Sequence, residues 1–188
     1  MSYAIGIQLR EADKTYPQTA SRMLGSAKIP LEWVLDELYE SDLFFCQLNL
    51  ADLAHLDPLG RLPHTGYLYV FLQMRSQNRA PSARVFYFDG KPDYFLFDAN
   101  ENVEGYEHLI RTYAIEFSAV DADAAGTKLL GVPNPRGGLS DAPQLLLQFD
   151  PRESKIEFLP DLDGTLCIFF GPEGRELEGA TAVFVQDE

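Results

Sequence analysis

Any chemistry in this chain must come from three histidines, two cysteines and a large excess of carboxylates. His55, His64 and His108 are far apart in sequence, and a general base needs an orienting partner and a nucleophile within hydrogen-bond reach. No Gly-x-Ser-x-Gly elbow and no Cys–His signature accompanies them, and Ser21, Ser26 and Ser140 sit in turns. Cys46 and Cys167 each lie inside an apolar run, which predicts buried free thiols. The expectation is therefore no catalytic residue and no enzymatic activity.

Carboxylates can also ligate cations. Asp98, Glu101, Glu104 and Glu107 cluster, but the glycine and terminal bidentate acid of a calcium loop are misplaced. Asp161-Leu162-Asp163-Gly164 reads better as a hairpin turn opening a strand. Gly131-Val132-Pro133-Asn134-Pro135-Arg136-Gly137-Gly138 is glycine-rich, but no helix follows to complete a phosphate cradle. We expect neither a metal nor a cofactor.

Charge points elsewhere. The net is −14 over 188 residues. Residues 1–94 hold 9 Lys and Arg against 11 Asp and Glu, a net of −2, and residues 95–188 hold 6 against 18, a net of −12. Such a field repels nucleic acid and anionic lipid and draws in basic partners. The acids Asp98, Glu101, Glu104, Glu107, Asp121 and Asp123, with Tyr94, Phe95 and Tyr106 as aromatic anchors, form the candidate partner-binding set.

These residues need a scaffold, and the sequence offers one twice. Met23-Leu24-Gly25-Ser26-Ala27-Lys28-Ile29-Pro30 matches Leu129-Leu130-Gly131-Val132-Pro133-Asn134-Pro135 at an offset of 106. The run from Leu43 through Gln47 to Leu50 matches Gln144 through Gln148 to Pro151 at an offset of 101. The run from Thr65 to Leu72 matches Asp163 to Phe170 at 98, an offset that also carries Val85-Phe86-Tyr87 onto Val183-Phe184-Val185. Each copy reads as a Gly turn followed by three strands rich in Phe, Tyr, Val and Leu. A sheet this small cannot bury its apolar face alone, so the copies are expected to pack about a pseudo-twofold.

Between and around the copies, residues 31–40 place Leu31, Val34, Leu35 and Leu38 on one helical stripe with acids opposite. Residues 49–56 suggest a short helix capped by Asn49. Residues 76–82 form a polar loop, 93–98 a strand and 112–119 a half-buried strand. The expected fold class is α+β, predominantly antiparallel β: two pseudo-repeated small β modules, about 22–90 and 126–188, packed together with a few short helices in one domain over 1–188. No run approaches the roughly 18 apolar residues of a membrane span, and the N-terminus lacks a basic region followed by an apolar stretch. The expectation is a cytoplasmic monomer or weak dimer.

The quoted blocks resemble the YwqG-like family, domain of unknown function 1963. Its marks stand here as Phe45-Cys46-Gln47-Leu48-Asn49-Leu50-Ala51-Asp52-Leu53, Leu62-Pro63-His64-Thr65-Gly66-Tyr67-Leu68-Tyr69-Val70-Phe71, Leu129-Leu130-Gly131-Val132-Pro133, Leu145-Leu146-Leu147-Gln148-Phe149-Asp150 and 163–170. The resemblance covers about residues 22–188, and this chain is short for the family at its N-terminus and before Gly164. It implies a β-rich fold with an internal repeat and no agreed activity. Some relatives neighbour toxin genes, which suggests an antitoxin or immunity role. Two functions of different class follow. One is a non-enzymatic immunity-type protein that binds a basic toxin, such as a nuclease, through the acidic set. The alternative is a small-ligand module or unrecognised enzyme using a cleft between the copies, lined by Gln47 and Gln148.

Overall fold

The computed structural model describes residues 3–73, 82–97, 99–101, 103–106, 109–134, 139, 143–154, 156, 164–174 and 176–186. Residues 76–81 of the polar loop expected at 76–82, 161–163 of the turn at 161–164 and 135–138 of the glycine-rich segment 131–138 lie outside these residues, and Ser82 begins a strand rather than ending the loop. The strands are β1 (Tyr3–Glu11), β2 (Arg22–Met23), β3 (Ala27–Ile29), β4 (Asp42–Asn49), β5 (Tyr67–Gln73), β6 (Ser82–Phe88), β7 (Tyr94–Leu96), β8 (Tyr113–Asp121), β9 (Lys128–Leu129), β10 (Leu145–Phe149), β11 (Gly164–Phe169) and β12 (Thr181–Gln186). Among the described residues three short α-helices join them: α1 (Leu31–Asp36), α2 (Leu50–Leu53) and α3 (Pro151–Ser154). The fold is predominantly antiparallel β, as the alternation and turn chemistry required.

The chain forms two compact units. The N-unit is Leu9–Met74 with Arg84–Glu116, and the C-unit is built mainly from Met1–Gln8 and Phe117–Glu188. Their limits differ from the sequence halves, because β1 and β8 each continue from one unit into the other.

In the N-unit β4 is the central strand. It is buried over seven of its eight residues and pairs with β5 from Asp42↔Gln73 to Asn49↔Tyr67, with an irregularity between Phe44 and Cys46. On its other side Arg22 faces Gln47 and Met23 faces Cys46. Ala27, Ile29, Trp33, Phe44, Tyr69 and Phe71 form one core cluster. Trp33 is its hub: its ring meets Tyr69 edge-on at 5.1 Å, Phe86 at 5.2 Å and Phe88 at 5.8 Å. Offset and edge-to-face arrangements of this kind add about 1 kcal/mol per pair beyond area burial.

This hub corrects the stripe expected for α1. Val34 and Leu38 pack against the core, but Leu31 is 47% and Leu35 78% exposed, and Trp33 takes the buried place. The larger indole, with three aromatic partners from β5 and β6, outcompetes the two leucines for the interior.

In the C-unit β10 plays the central part. It is wholly buried and pairs with β11 from Leu145↔Phe169 to Phe149↔Leu166, with its irregularity between Leu145 and Leu147. On its other side Gln148 faces Lys128 and Leu147 faces Leu129, and β12 closes the far side of β11. The turns after β2 and β9 are alike. Leu24 and Gly25 have φ of 56° and 64°, and Leu130 and Gly131 have 62° and 82°. The Leu24 N–H donates to the Phe45 carbonyl at 2.8 Å and the Leu130 N–H to the Leu146 carbonyl at 3.1 Å. A left-handed leucine costs about 1–2 kcal/mol, and here each leucine is almost fully buried, which offsets that cost. The glycines cannot change: a Cβ on Gly25 would lie 2.3 Å from Thr112 Oγ1, and one on Gly131 2.4 Å from the Ala122 carbonyl.

Candidate interaction surface

The acidic loop between β7 and β8 belongs to the N-unit. β7 pairs with β3 through Ala27↔Leu96, Lys28↔Phe95 and Ile29↔Tyr94, which fixes where the loop begins. Its anchor is Asn100, a fully buried side chain that the sequence does not single out. Asn100 Oδ1 accepts the Phe44 N–H at 2.8 Å, and its Nδ2 donates to the carbonyls of Phe44 and Leu109, each at 3.1 Å. The Leu109 carbonyl also accepts the Gly25 N–H at 3.2 Å. Val103 and Leu109 are buried beside this network. Buried amides with every partner supplied rigidify what they hold.

Outside the anchor, Glu101 and Glu104 are exposed, Tyr94 is 38% and Phe97 70% exposed, and Tyr106 is half-buried. Phe95 and Phe97 stack edge-to-face at 5.9 Å. Asp121 and Asp123 are also exposed, but they belong to the C-unit, where the Asp123 carbonyl accepts a bond from Asn134 Nδ2 at 2.6 Å. The expected set is thus divided: Tyr94, Glu101, Glu104 and Tyr106 share one unit, Asp121 and Asp123 the other. Asp98 and Glu107 lie outside the described residues.

Beside the same loop, the N-unit has a depression of about 520 Å³ lined by Lys14, Arg111, Glu11, Asp13, Phe95 and Phe97, among others. Arg111 and Glu11 approach to 3.7 Å, both well exposed, so the pair adds little to stability.

Gln47 and Gln148, proposed above as cleft lining, are both wholly buried. Gln47 Oε1 accepts the Lys28 N–H at 2.8 Å, and its Nε2 donates to the carbonyls of Gln18 and Ala20. Gln148 Oε1 accepts the Asn134 N–H at 2.8 Å, and its Nε2 donates to Gly126 and, at 3.5 Å, Asn134. Both amides are spent on backbone groups of their own unit. Next to them sit two buried cations. Arg22 donates to the carbonyls of Pro17 and Ala20 and to Ser26 Oγ. Lys128 Nζ donates to the carbonyls of Ala122, Ala124 and Val132 at 3.0, 2.6 and 2.7 Å. Each cation thereby ties the loop before its strand to the turn after it. Burial lowers the pKa of both, and Asp123 partly opposes this for Lys128.

Several of the groups that could react are engaged or buried. His64 Nε2 sits 3.1 Å from the Asp57 carbonyl and 3.9 Å from its carboxylate, which itself accepts the N–H groups of Arg61 and Leu62. His55 lies in the 3-10 turn after α2, and His108 is outside the described residues. Cys46 and Cys167 are free and buried, as expected, and burial pushes the Cys167 thiol up to about 12. Such thiols are poor nucleophiles. Among the described residues no group of three or more His, Cys, Asp and Glu is placed to hold a metal ion, and no helix is long and apolar enough to cross a membrane. Compared with protein-family models and with curated proteins, the chain matches none.

Proposed function

We propose that this protein is a non-enzymatic interaction protein of the immunity or antitoxin type, which captures a basic partner such as a toxin nuclease. The observation that carries the reading is the loop pinned by Asn100. It offers Glu101 and Glu104 to solvent with Tyr94 and Phe97 alongside. A preorganised acidic surface with aromatic anchors loses little entropy on binding a cationic cleft, and the net charge of −14 adds steering. Association with a basic nuclease is expected to be fast at low salt and to slow steeply as salt rises. Reversal of Glu101 and Glu104 to lysine should weaken it. If co-purification and binding assays against basic proteins give no salt-sensitive complex, this reading fails.

We further infer that residues about 22–90 and 126–188 are diverged copies of one β module of the YwqG-like kind. The support lies in matched details. Offsets of 106 and 101 carry Arg22 onto Lys128, Leu24-Gly25 onto Leu130-Gly131 and Gln47 onto Gln148. They also relate Ser21, whose Oγ accepts the Asn49 N–H, to Thr127, whose Oγ1 accepts the Asp150 N–H.

A second reading, a small-ligand module, draws support from the 520 Å³ depression rather than from the two glutamines. A thermal-shift screen with anionic aromatic compounds separates the two. A rise in Tm abolished by Arg111→Ala favours the ligand, whereas no shift by any compound leaves the protein-binding reading.

A further inference from the structure

The face that α1 turns to solvent carries a stripe the core does not use. Leu31, Leu35 and Tyr39 follow one another at four-residue spacing and are 47%, 78% and 62% exposed. Leu31 and Leu35 lie one helical turn apart on the same face. Tyr39 continues the spacing just beyond the helix end, where the Glu37 and Leu38 N–H groups both bond the Trp33 carbonyl. Its position is fixed: its N–H donates to Asp42 Oδ2 at 3.0 Å, and the Arg84 guanidinium, ion-paired to Asp42, lies 4.7 Å over its ring. Outside this stripe and the Tyr94–Phe97 loop, exposed large apolar residues such as Leu59 and Val132 occur singly, and single ones are ordinary on a protein surface. Three within nine residues, on a platform held by Trp33 and Arg84, are not.

The rim of the stripe identifies the occupant. Glu32, Asp36, Glu37 and Glu40 are all exposed, and residues 29–41 contain no Lys or Arg. Anionic lipid is repelled by such a rim. A second copy docked isologously would set acid against acid. A segment with apolar residues at helical spacing and Lys or Arg on its flanks satisfies both parts at once. We propose that this face docks a basic amphipathic helix of a protein partner, with Leu35 at its centre and the four acids pairing the flanking cations. The inference rests on the reading that the partner is basic, and it adds to the contact at Glu101 and Glu104 a second one, made to a helix of that partner.

Trp33, the chain's single tryptophan, lies in α1 itself and reports the event. The test titrates the protein with a tryptophan-free synthetic helix of leucines at i, i+3, i+4 and i+7 and lysines elsewhere, with a glutamate-for-lysine version as control. The expected result is a saturable change in Trp33 emission with the lysine peptide alone, weakened about tenfold or more by Leu35→Asp, the change a lost hot-spot contact gives. Leu35 is mostly solvent-exposed, so this variant should keep the wild-type melting temperature, and Leu31→Asp provides a second such probe. If both variants bind as wild type, or if both peptides bind alike, the α1 face is not the docking site. If the lysine peptide's binding is instead lost in Glu101→Lys with Glu104→Lys, the basic-partner reading survives and this placement falls. If no basic peptide or protein binds anywhere, both fall together.

Discussion

Gln47 and Gln148 do the same work in separate units: each side-chain oxygen takes a backbone N–H at 2.8 Å from the segment after β2 or β9, respectively, and each nitrogen returns a bond to the loop before that strand. Each amide is the latch between its central strand and the chain that enters and leaves the neighbouring short strand. With two residues apiece, β2 and β9 are too short to hold register alone, so the latch substitutes for ladder length. Arg22 and Lys128, directly opposite these glutamines, reinforce the same junction with charge.

Replacing either glutamine by leucine keeps the volume but strands a buried N–H and at least one carbonyl. Leaving a buried group unsatisfied costs about 1–3 kcal/mol. Gln47→Leu and Gln148→Leu should each lower the urea midpoint by a comparable amount, read by far-UV circular dichroism. A loss confined to one of the two variants would contradict the shared role.

Lys128→Met tests the cation. Methionine fills much of the same space, but the carbonyls of Ala122, Ala124 and Val132 lose their donor. Hydrogen bonds to charged groups contribute about 1.5–3 kcal/mol, so a destabilisation of about 3 kcal/mol is expected in denaturant titration. A variant as stable as wild type would mean that the buried charge costs as much as its bonds return.

The strands β4, β5, β10 and β11 and the two glutamines were legible because apolar and aromatic runs bounded by Gly, Pro and Asp leave a local signature, and because a polar residue repeated inside two such runs stands out. The side assigned to α1 was not. Six residues of helix cannot decide between Leu31, Leu35 and Trp33, since the choice is made by Tyr69, Phe86 and Phe88 from distant strands. Asn100 gave no signal, as its partners lie at Phe44 and Leu109. Arg22 and Lys128 were findable: the offset of 106 that aligns the Gly turns also aligns these two cations, and a charge kept beside an apolar turn in both copies points inward. The allotment of Met1–Gln8 to the C-unit was invisible, because β1 lies outside every repeated block.

Asn100→Ala should release the acidic loop. The lost contacts are three hydrogen bonds to buried backbone at Phe44 and Leu109. A cost of about 1–3 kcal/mol follows. Its distinctive mark is local: amide hydrogen exchange should quicken for Phe44, Val103 and Leu109 before the rest of the N-unit. Uniform acceleration across the unit would instead make Asn100 part of the global core.

Alkaline pH should unfold the protein earlier than its acidic composition suggests. Burial raises the thiols of Cys46 and Cys167 from an ordinary 9.0 and the Tyr69 hydroxyl from 10.0, the last while it donates to the Lys28 carbonyl at 2.6 Å. These groups stay protonated in the native state at pH values where the unfolded chain has released the proton. Their contribution is therefore complete below the unfolded values and is lost as pH climbs toward the native ones. Lys128 acts in the opposite sense: its native pKa is lowered, so toward 10.5 it favours the folded state as pH rises, but Tyr16 and Tyr87 are raised as well and side with the other three. Melting temperature should hold to about pH 9 and then fall toward pH 11, and the fall should be shallower when both cysteines are replaced by alanine. A flat profile to pH 11, or one unaffected by removing the thiols, would show that these protons do not govern alkaline stability.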